Sequence, residues 1–211
     1  MSKKKPQFDK LGARTKLVAA GREFTEHGVV NPGVYHASTI VFDDLAAYRD
    51  VTVPYRYGRR GTPTSRAVEQ AVAIVEGAHD ARLCPSGMAA ISTALMCLLK
   101  TGDHIVMADT VYLPARKFAN GILAKMGIET TFFDPAISPA DLAGLMQPNT
   151  RMVYLESPGS QTYEVIDVPA LAEVAHKHDA MMCIDNTWSA GHYFKAFEHG
   201  CDVSIQAATK Y

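Results

Sequence analysis

At 211 residues the chain is long enough to enclose one well-filled core, and 47% apolar residues place it among ordinary folded proteins. A net charge of −1 leaves no basic footprint for nucleic acid or acidic membranes, and no run approaches the roughly eighteen apolar residues of a membrane span. The basic start, Met1-Ser2-Lys3-Lys4-Lys5-Pro6, is followed by no apolar stretch, so it reads as a solvated terminus and the protein is expected in the cytoplasm.

Residues 1–62 carry little sustained periodicity and many turn formers, among them Asn31-Pro32-Gly33, Pro54, Gly58 and Gly61. They are expected to form an extended arm with one short helix over Lys10–Arg22. After Thr64 the pattern changes. Val68, Val72 and Val75 share one helical face, which predicts an amphipathic helix over Ser65–Glu76 with Ser65 as its cap and Gly77 beyond its end. Short apolar runs then alternate with helical stretches. Strands are expected near Ala81–Pro85, His104–Ala108, Glu129–Phe133, Met152–Glu156, Ala180–Asp185 and Val203–Ala207. Helices are expected near Met88–Leu99, Pro114–Met126, Pro139–Met146 and Pro169–His178. Helical crossovers between strands imply right-handed connections and a mostly parallel sheet covered on both faces. The expected organisation is thus an arm, 1–62, and an α/β domain, 63–211. The four cysteines, Cys84, Cys97, Cys183 and Cys201, lie in apolar runs with no C-x-x-C pair and read as buried reduced thiols.

Open parallel sheets bind ligands at the carboxyl ends of their strands, so the residues closing each run carry the chemistry. Cys84-Pro85-Ser86-Gly87-Met88 reads as a strand end, a small-residue turn and a helix start. Such a turn offers unpaired N–H groups to a phosphate, or it is an ordinary turn capped by Ser86. Tyr57 and Arg59, two apart in the arm, would share a face in extended chain and suit phosphate oxygens, although a solvated basic turn fits the spacing as well. Tyr112 follows a strand, where it either stacks on a flat ring or simply packs. Glu156-Ser157-Pro158-Gly159-Ser160 exposes polar groups at the same edge. Asp185 and Lys210 each close an apolar run and stand 25 residues apart, counting from 185 to 210, the length of one βαβ unit. A lysine amine can condense with the aldehyde of pyridoxal phosphate (PLP), while a carboxylate holds the pyridine nitrogen protonated. His176, His178, Cys183 and Asp185 do not make a metal site: the histidines close a helix and point in different directions. No G-x-G-x-x-G, P-loop or G-x-S-x-G pattern is present.

The segments Val30–Thr39, Tyr57–Thr62, Pro85–Ala90, Leu155–Ser160, Ile184–Trp188 and Ser204–Tyr211 together resemble the PLP-dependent Cys/Met metabolism, or trans-sulfuration, enzymes. The resemblance implies a fold type I PLP-dependent transferase-like large domain, incomplete here and without its small C-terminal domain. It implies Lys210 as the lysine that joins the cofactor, Asp185 as the partner of the pyridinium nitrogen and Tyr112 as the stacking ring. It further implies Gly87, Met88 and Thr209 as phosphate donors, with Tyr57 and Arg59 reaching the phosphate of a neighbouring subunit in a homotetramer. Ala207 stands where a phosphate-binding serine is common in the wider family, and Ser160 where asparagine is frequent. With Ile205-Gln206 before it, the alanine resembles the branch that cleaves L-cystathionine by β-elimination to homocysteine, pyruvate and ammonia in methionine biosynthesis, which implies Lys210, Tyr112 and Asp185 as catalytic residues. A γ-lyase, a γ-synthase, a cysteine desulfhydrase or a non-catalytic regulatory protein of the same fold are the alternatives.

Overall fold

Five runs rich in β-branched and apolar residues form strands: β1 His104–Ala108, β2 Glu129–Phe133, β3 Thr150–Glu156, β4 Met181–Asp185 and β5 Val203–Ile205. All pair in parallel, in the order β2-β1-β3-β4-β5. Successive side chains of a strand point to opposite faces of its sheet. In β1 every residue is buried, and in β3 and β4 all but one at the start are. Both faces are therefore covered, as a parallel sheet requires. Ile105, Met107, Met152, Leu155 and Met182 are fully enclosed there, and truncating any one to alanine costs about 2–5 kcal/mol.

The computed structural model describes residues 8–211, so the Lys3-Lys4-Lys5 run lies outside the described residues. The chain divides between Leu83 and Cys84 into two compact units. In the second unit helix α4, Gly87–Leu98, packs on α5, Leu113–Phe118, and on β5, whereas α6, Pro139–Leu145, packs on α7, Val168–Lys177, which lies against β3 and β4. The expected helix Pro114–Met126 is divided. Its α-helical part ends at Phe118 and a wider π-helical turn, Ala119–Leu123, follows around Gly121, a residue that gains little from a tight helix.

Three further expectations are corrected. Ala81–Pro85 is not a strand. The N–H groups of Ala81 and Leu83 go to the Asp80 and Glu69 side chains instead of a ladder, and Leu83 is half exposed. Cys97 is exposed and Cys84 half-buried, while Cys183 and Cys201 are enclosed. On α4 the buried residues are Ile91 and Leu95, and Cys97 sits two positions on, across the helix. Finally, Ser65 is not the cap of its helix.

That helix, α3, belongs to the first unit and runs Pro63–Glu76. Thr62 caps it: its side chain accepts the Ser65 N–H while Ser65 Oγ accepts the Thr62 N–H at 2.9 Å. Pro63 at the first helical position lacks the N–H that a helix start would leave unsatisfied, which is why the helix begins two residues early. Arg66 on α3 bonds Glu69 at 3.1 Å and Asp80 at 2.7 Å, pinning the chain beyond the helix. The predicted helix Lys10–Arg22 is realised as α1, Ala13–Ala19, with single 3-10 turns at Phe8–Lys10 and Arg22–Phe24. A short α2, Leu45–Arg49, capped by Asp44, lies in the segment expected to be extended. Tyr57 and Arg59 are not placed by extended chain either. Residues Gly58–Arg60 form a 3-10 turn, with Arg60 N–H bonded to Tyr57 C=O at 2.8 Å. Gly58 is required at this turn, since a Cβ there would fall 1.9 Å from the Ala37 carbonyl oxygen.

Candidate active site

In the second unit the carboxyl ends of the strands and the start of α4 enclose a cavity of about 680 Å³, a size suited to a small-molecule ligand. β3 ends on Glu156 and β4 on Asp185, and these two acids are register partners, so they stand side by side on one face of the sheet. Each is only 5% exposed.

Asp185 Oδ1 accepts the Thr187 N–H at 3.1 Å and the Thr187 hydroxyl at 2.6 Å. Thr187 Oγ1 in turn accepts the Ala207 N–H at 2.9 Å, which ties the end of β4 to the segment after β5. Burial raises the Asp185 carboxyl above its ordinary range, and the Thr187 bonds and the nearby Lys210 charge offset only part of that shift. Glu156 Oε2 accepts the Tyr112 N–H at 2.7 Å. Burial, with the Asp185 charge second, still pushes Glu156 up to about 7. Two carboxyls this close in a low-dielectric wall resist carrying two negative charges.

Lys210 and Thr209 lie on the 3-10 turn Ala208–Lys210 that follows β5, and both line the cavity. Gly87 and Met88 are the first two residues of α4. Ser86 Oγ accepts the Ala89 N–H at 3.0 Å, so the Gly87 and Met88 N–H groups, which have no intrahelical acceptor, remain for a ligand at the positive end of the helix. A Cβ on Gly87 would fall 2.6 Å from the Ala207 Cβ, so only glycine lets the helix start approach the segment after β5 this closely. Tyr112 precedes α5 and is 41% exposed at the cavity wall.

The structure thus brings Lys210, Asp185, Tyr112, Gly87, Met88 and Thr209 to one cavity. Tyr57 and Arg59 belong to the first unit, where both are exposed. The donor set suits a flat phosphorylated aromatic aldehyde: helix-end N–H groups for an anionic phosphate, a buried carboxylate for a protonated ring nitrogen, and an amine for the aldehyde. Pyridoxal phosphate has these three parts. Glu156, Thr187, Trp188 and His192 also belong to the cavity and escaped the sequence reading or were left without a role. The signal for Glu156 was present, because it closes an apolar strand just as Asp185 does. Nothing in the sequence marks His192, whose Nδ1 is buried with no hydrogen-bond partner among the described residues.

His176 is engaged elsewhere, with Asp202 at 2.9 Å, and no group of three His, Cys, Asp or Glu side chains among the described residues is placed to hold a metal ion. No helix among the described residues is long and apolar enough to cross a membrane.

The family described as Cys/Met metabolism PLP-dependent enzyme matches residues 14–211. A putative cystathionine beta-lyase of Rhizobium johnstonii is 40% identical over 212 residues, covering 100% of this chain and 53% of the relative. The cystathionine beta-lyase MetC of Escherichia coli is 45% identical over 206 residues, covering 93% and 52%. The crystal structure of metB from Corynebacterium glutamicum superposes with a TM-score of 0.86 at 28% identity, covering 94% of this chain and 51% of that one. Relatives named for other reactions also match: an L-alanine/L-glutamate racemase of Wolbachia pipientis at 36% identity over 92% of this chain and 51% of the relative, and an L-methionine gamma-lyase of Porphyromonas gingivalis at 32% over 99% and 53%. The chain spans about half the length of these curated relatives.

Proposed function

Because this chain belongs to the PLP-dependent Cys/Met metabolism enzymes, we propose that it is the cofactor-binding part of a cytoplasmic carbon–sulfur lyase. Its reaction is the β-elimination of L-cystathionine, which with one water gives homocysteine, pyruvate and ammonia. The observation that carries the reading is the single cavity onto which a lysine, a buried carboxyl and the open N-terminus of α4 converge.

Bound PLP supplies an electron-withdrawing ring that holds the electron pair left at the substrate α-carbon. Asp185 would pair with the ring nitrogen and keep the ring cationic, and its bonds to Thr187 hold the carboxyl in place for the task. Lys210 would hold the cofactor aldehyde, and its free amine would take the substrate α-proton. Lys210 or Tyr112 delivers a proton to the departing sulfur. Gly87, Met88 and Thr209 would hold the phosphate. Tyr57 and Arg59 are assigned to the phosphate of a neighbouring subunit's cofactor, with residues 1–62 serving as an intersubunit arm in a homotetramer built from dimers. In support, that arm carries Val34, Val41 and Val51 exposed at 72%, 89% and 82%, an apolar surface suited to a partner.

A second reading within the family is γ-cleavage, favoured by the methionine gamma-lyase relative. Incubating the purified protein with L-cystathionine and PLP separates the two. Pyruvate with homocysteine supports β-elimination, 2-oxobutyrate with cysteine supports γ-cleavage, and no turnover with PLP bound supports a regulatory role.

A further inference from the structure

The chain between β3 and α7, residues 157–166, closes on itself. The Gly159 N–H donates to the Glu164 carbonyl at 2.9 Å, the Tyr163 N–H to the Gly159 carbonyl at 3.2 Å and the Ile166 N–H to Ser157 Oγ at 3.0 Å. The Ser160 N–H donates to the Thr110 carbonyl at 2.8 Å, which fastens the loop to the segment after β1. Within this closed loop Tyr163 takes a φ of 64°, the left-handed region where a Cβ crowds its own backbone and glycine is the residue of choice. A bulky ring at such a position calls for a reason. Burial is not the reason, because Tyr163 is 61% exposed. Its ring instead meets Trp188 edge-on, with centroids 5.5 Å apart and planes at 74°. Trp188 lines the cavity in the connection after β4, and among the described residues Tyr163 is its one aromatic neighbour. Trp188 is itself 49% exposed, so the tyrosine edge restrains one side of an otherwise open side chain.

We infer that Tyr163 is a positioning residue of this site, a ring held on a strained backbone so that it backs Trp188 and fixes one wall of the cavity. Strained residues persist where the structure around them over-determines their conformation, and they collect at ligand sites because there the strain serves binding. Here the loop hydrogen bonds hold the backbone, and the ring they present reaches across to the next loop. The consequence for a bound ligand rests on the PLP reading above; the contact between the two rings does not.

Tyr163→Gly separates this role from ordinary packing, because it relieves the backbone strain and removes the ring in one step. In the full-length protein labelled with 5-fluorotryptophan, the Trp188 fluorine resonance is assigned by its loss in Trp188→Phe. Without cofactor, Tyr163→Gly is expected to shift and broaden that resonance, with a thermal midpoint above that of Tyr163→Ala, which loses the ring and keeps the strain. On titration with PLP the glycine variant is expected to lose about fivefold in affinity. Tyr163→Phe, which keeps the ring, is expected to match the unmutated protein in resonance, midpoint and affinity. An unmoved Trp188 resonance in Tyr163→Gly overturns the inference. So does a shifted resonance with PLP affinity intact, or a glycine midpoint no higher than that of the alanine variant, which would mean that no strain is held there. Should the unmutated protein bind no PLP, the proposed function fails, while resonance and midpoint still decide whether a strained Tyr163 restrains Trp188.

Discussion

The two ends of the central strands hold buried polar groups of opposite kind. At the amino end His104, fully enclosed, is bonded through Nδ1 to Thr150 at 2.7 Å and through Nε2 to Thr131 at 2.9 Å, so three strands are pinned and both ring nitrogens are used. Burial pushes its pKa down, keeping the ring neutral in the folded protein. At the carboxyl end Glu156 and Asp185 are buried side by side, and the helix-end N–H groups of Gly87 and Met88 face no intrahelical partner. A closed polar network specifies a scaffold, whereas capacity left over beside a cavity specifies a binding site.

Substitutions at the two ends should therefore act on different observables. The largest effect is expected for Lys210→Ala, which should abolish the visible absorbance of bound PLP and turnover together, as absorbance spectra and a pyruvate assay would record. Asp185→Asn should lower kcat about 10²-fold or more while leaving cofactor in place, because it removes the charge that stabilises the transition state and preserves the bonding geometry. Next comes the pH dependence of the cofactor-free protein. Glu156 holds its proton up to about 7 when folded against an ordinary 4.5, so its contribution is fully present below pH 4.5 and is lost as pH rises to about 7. Asp185 shifts in the same direction. Denaturant titrations across that window should show Glu156→Gln flattening a loss on the order of 3 kcal/mol. The smallest effect is expected at the amino end. His104→Ala should cost about 2 kcal/mol by removing one partner from each of the Thr150 and Thr131 hydroxyls, with PLP affinity per folded molecule unchanged. A fall in affinity at that site would erase the distinction between the two ends.

The strands were legible because each is a short apolar run bounded by turn formers: β1 and β2 stand where the pattern places them, and β3 and β4 differ only at their first residues. Asp185 stands out in the sequence because it closes such a run, and it lies at the cavity; Lys210, expected to close the next run, stands instead on the 3-10 turn beyond β5, at the same cavity. Ala81–Pro85 has the same local character but finds its hydrogen bonds in the Asp80 and Glu69 side chains, a competition that composition does not reveal. The cap at Thr62 was obscured by Pro63, whose place at a helix start reads as a break until its missing N–H is considered. The place of Glu156 beside Asp185 at the cavity is set by strand register and by a loop donor, contacts distant in sequence.

The most direct measurement is peptide mapping by mass spectrometry after borohydride reduction of the protein loaded with PLP. The expected result is a phosphopyridoxyl group on the peptide that carries Lys210, absent in Lys210→Ala. A label on another lysine, or none on a protein that is folded and saturated with cofactor, would contradict the assignment of this cavity.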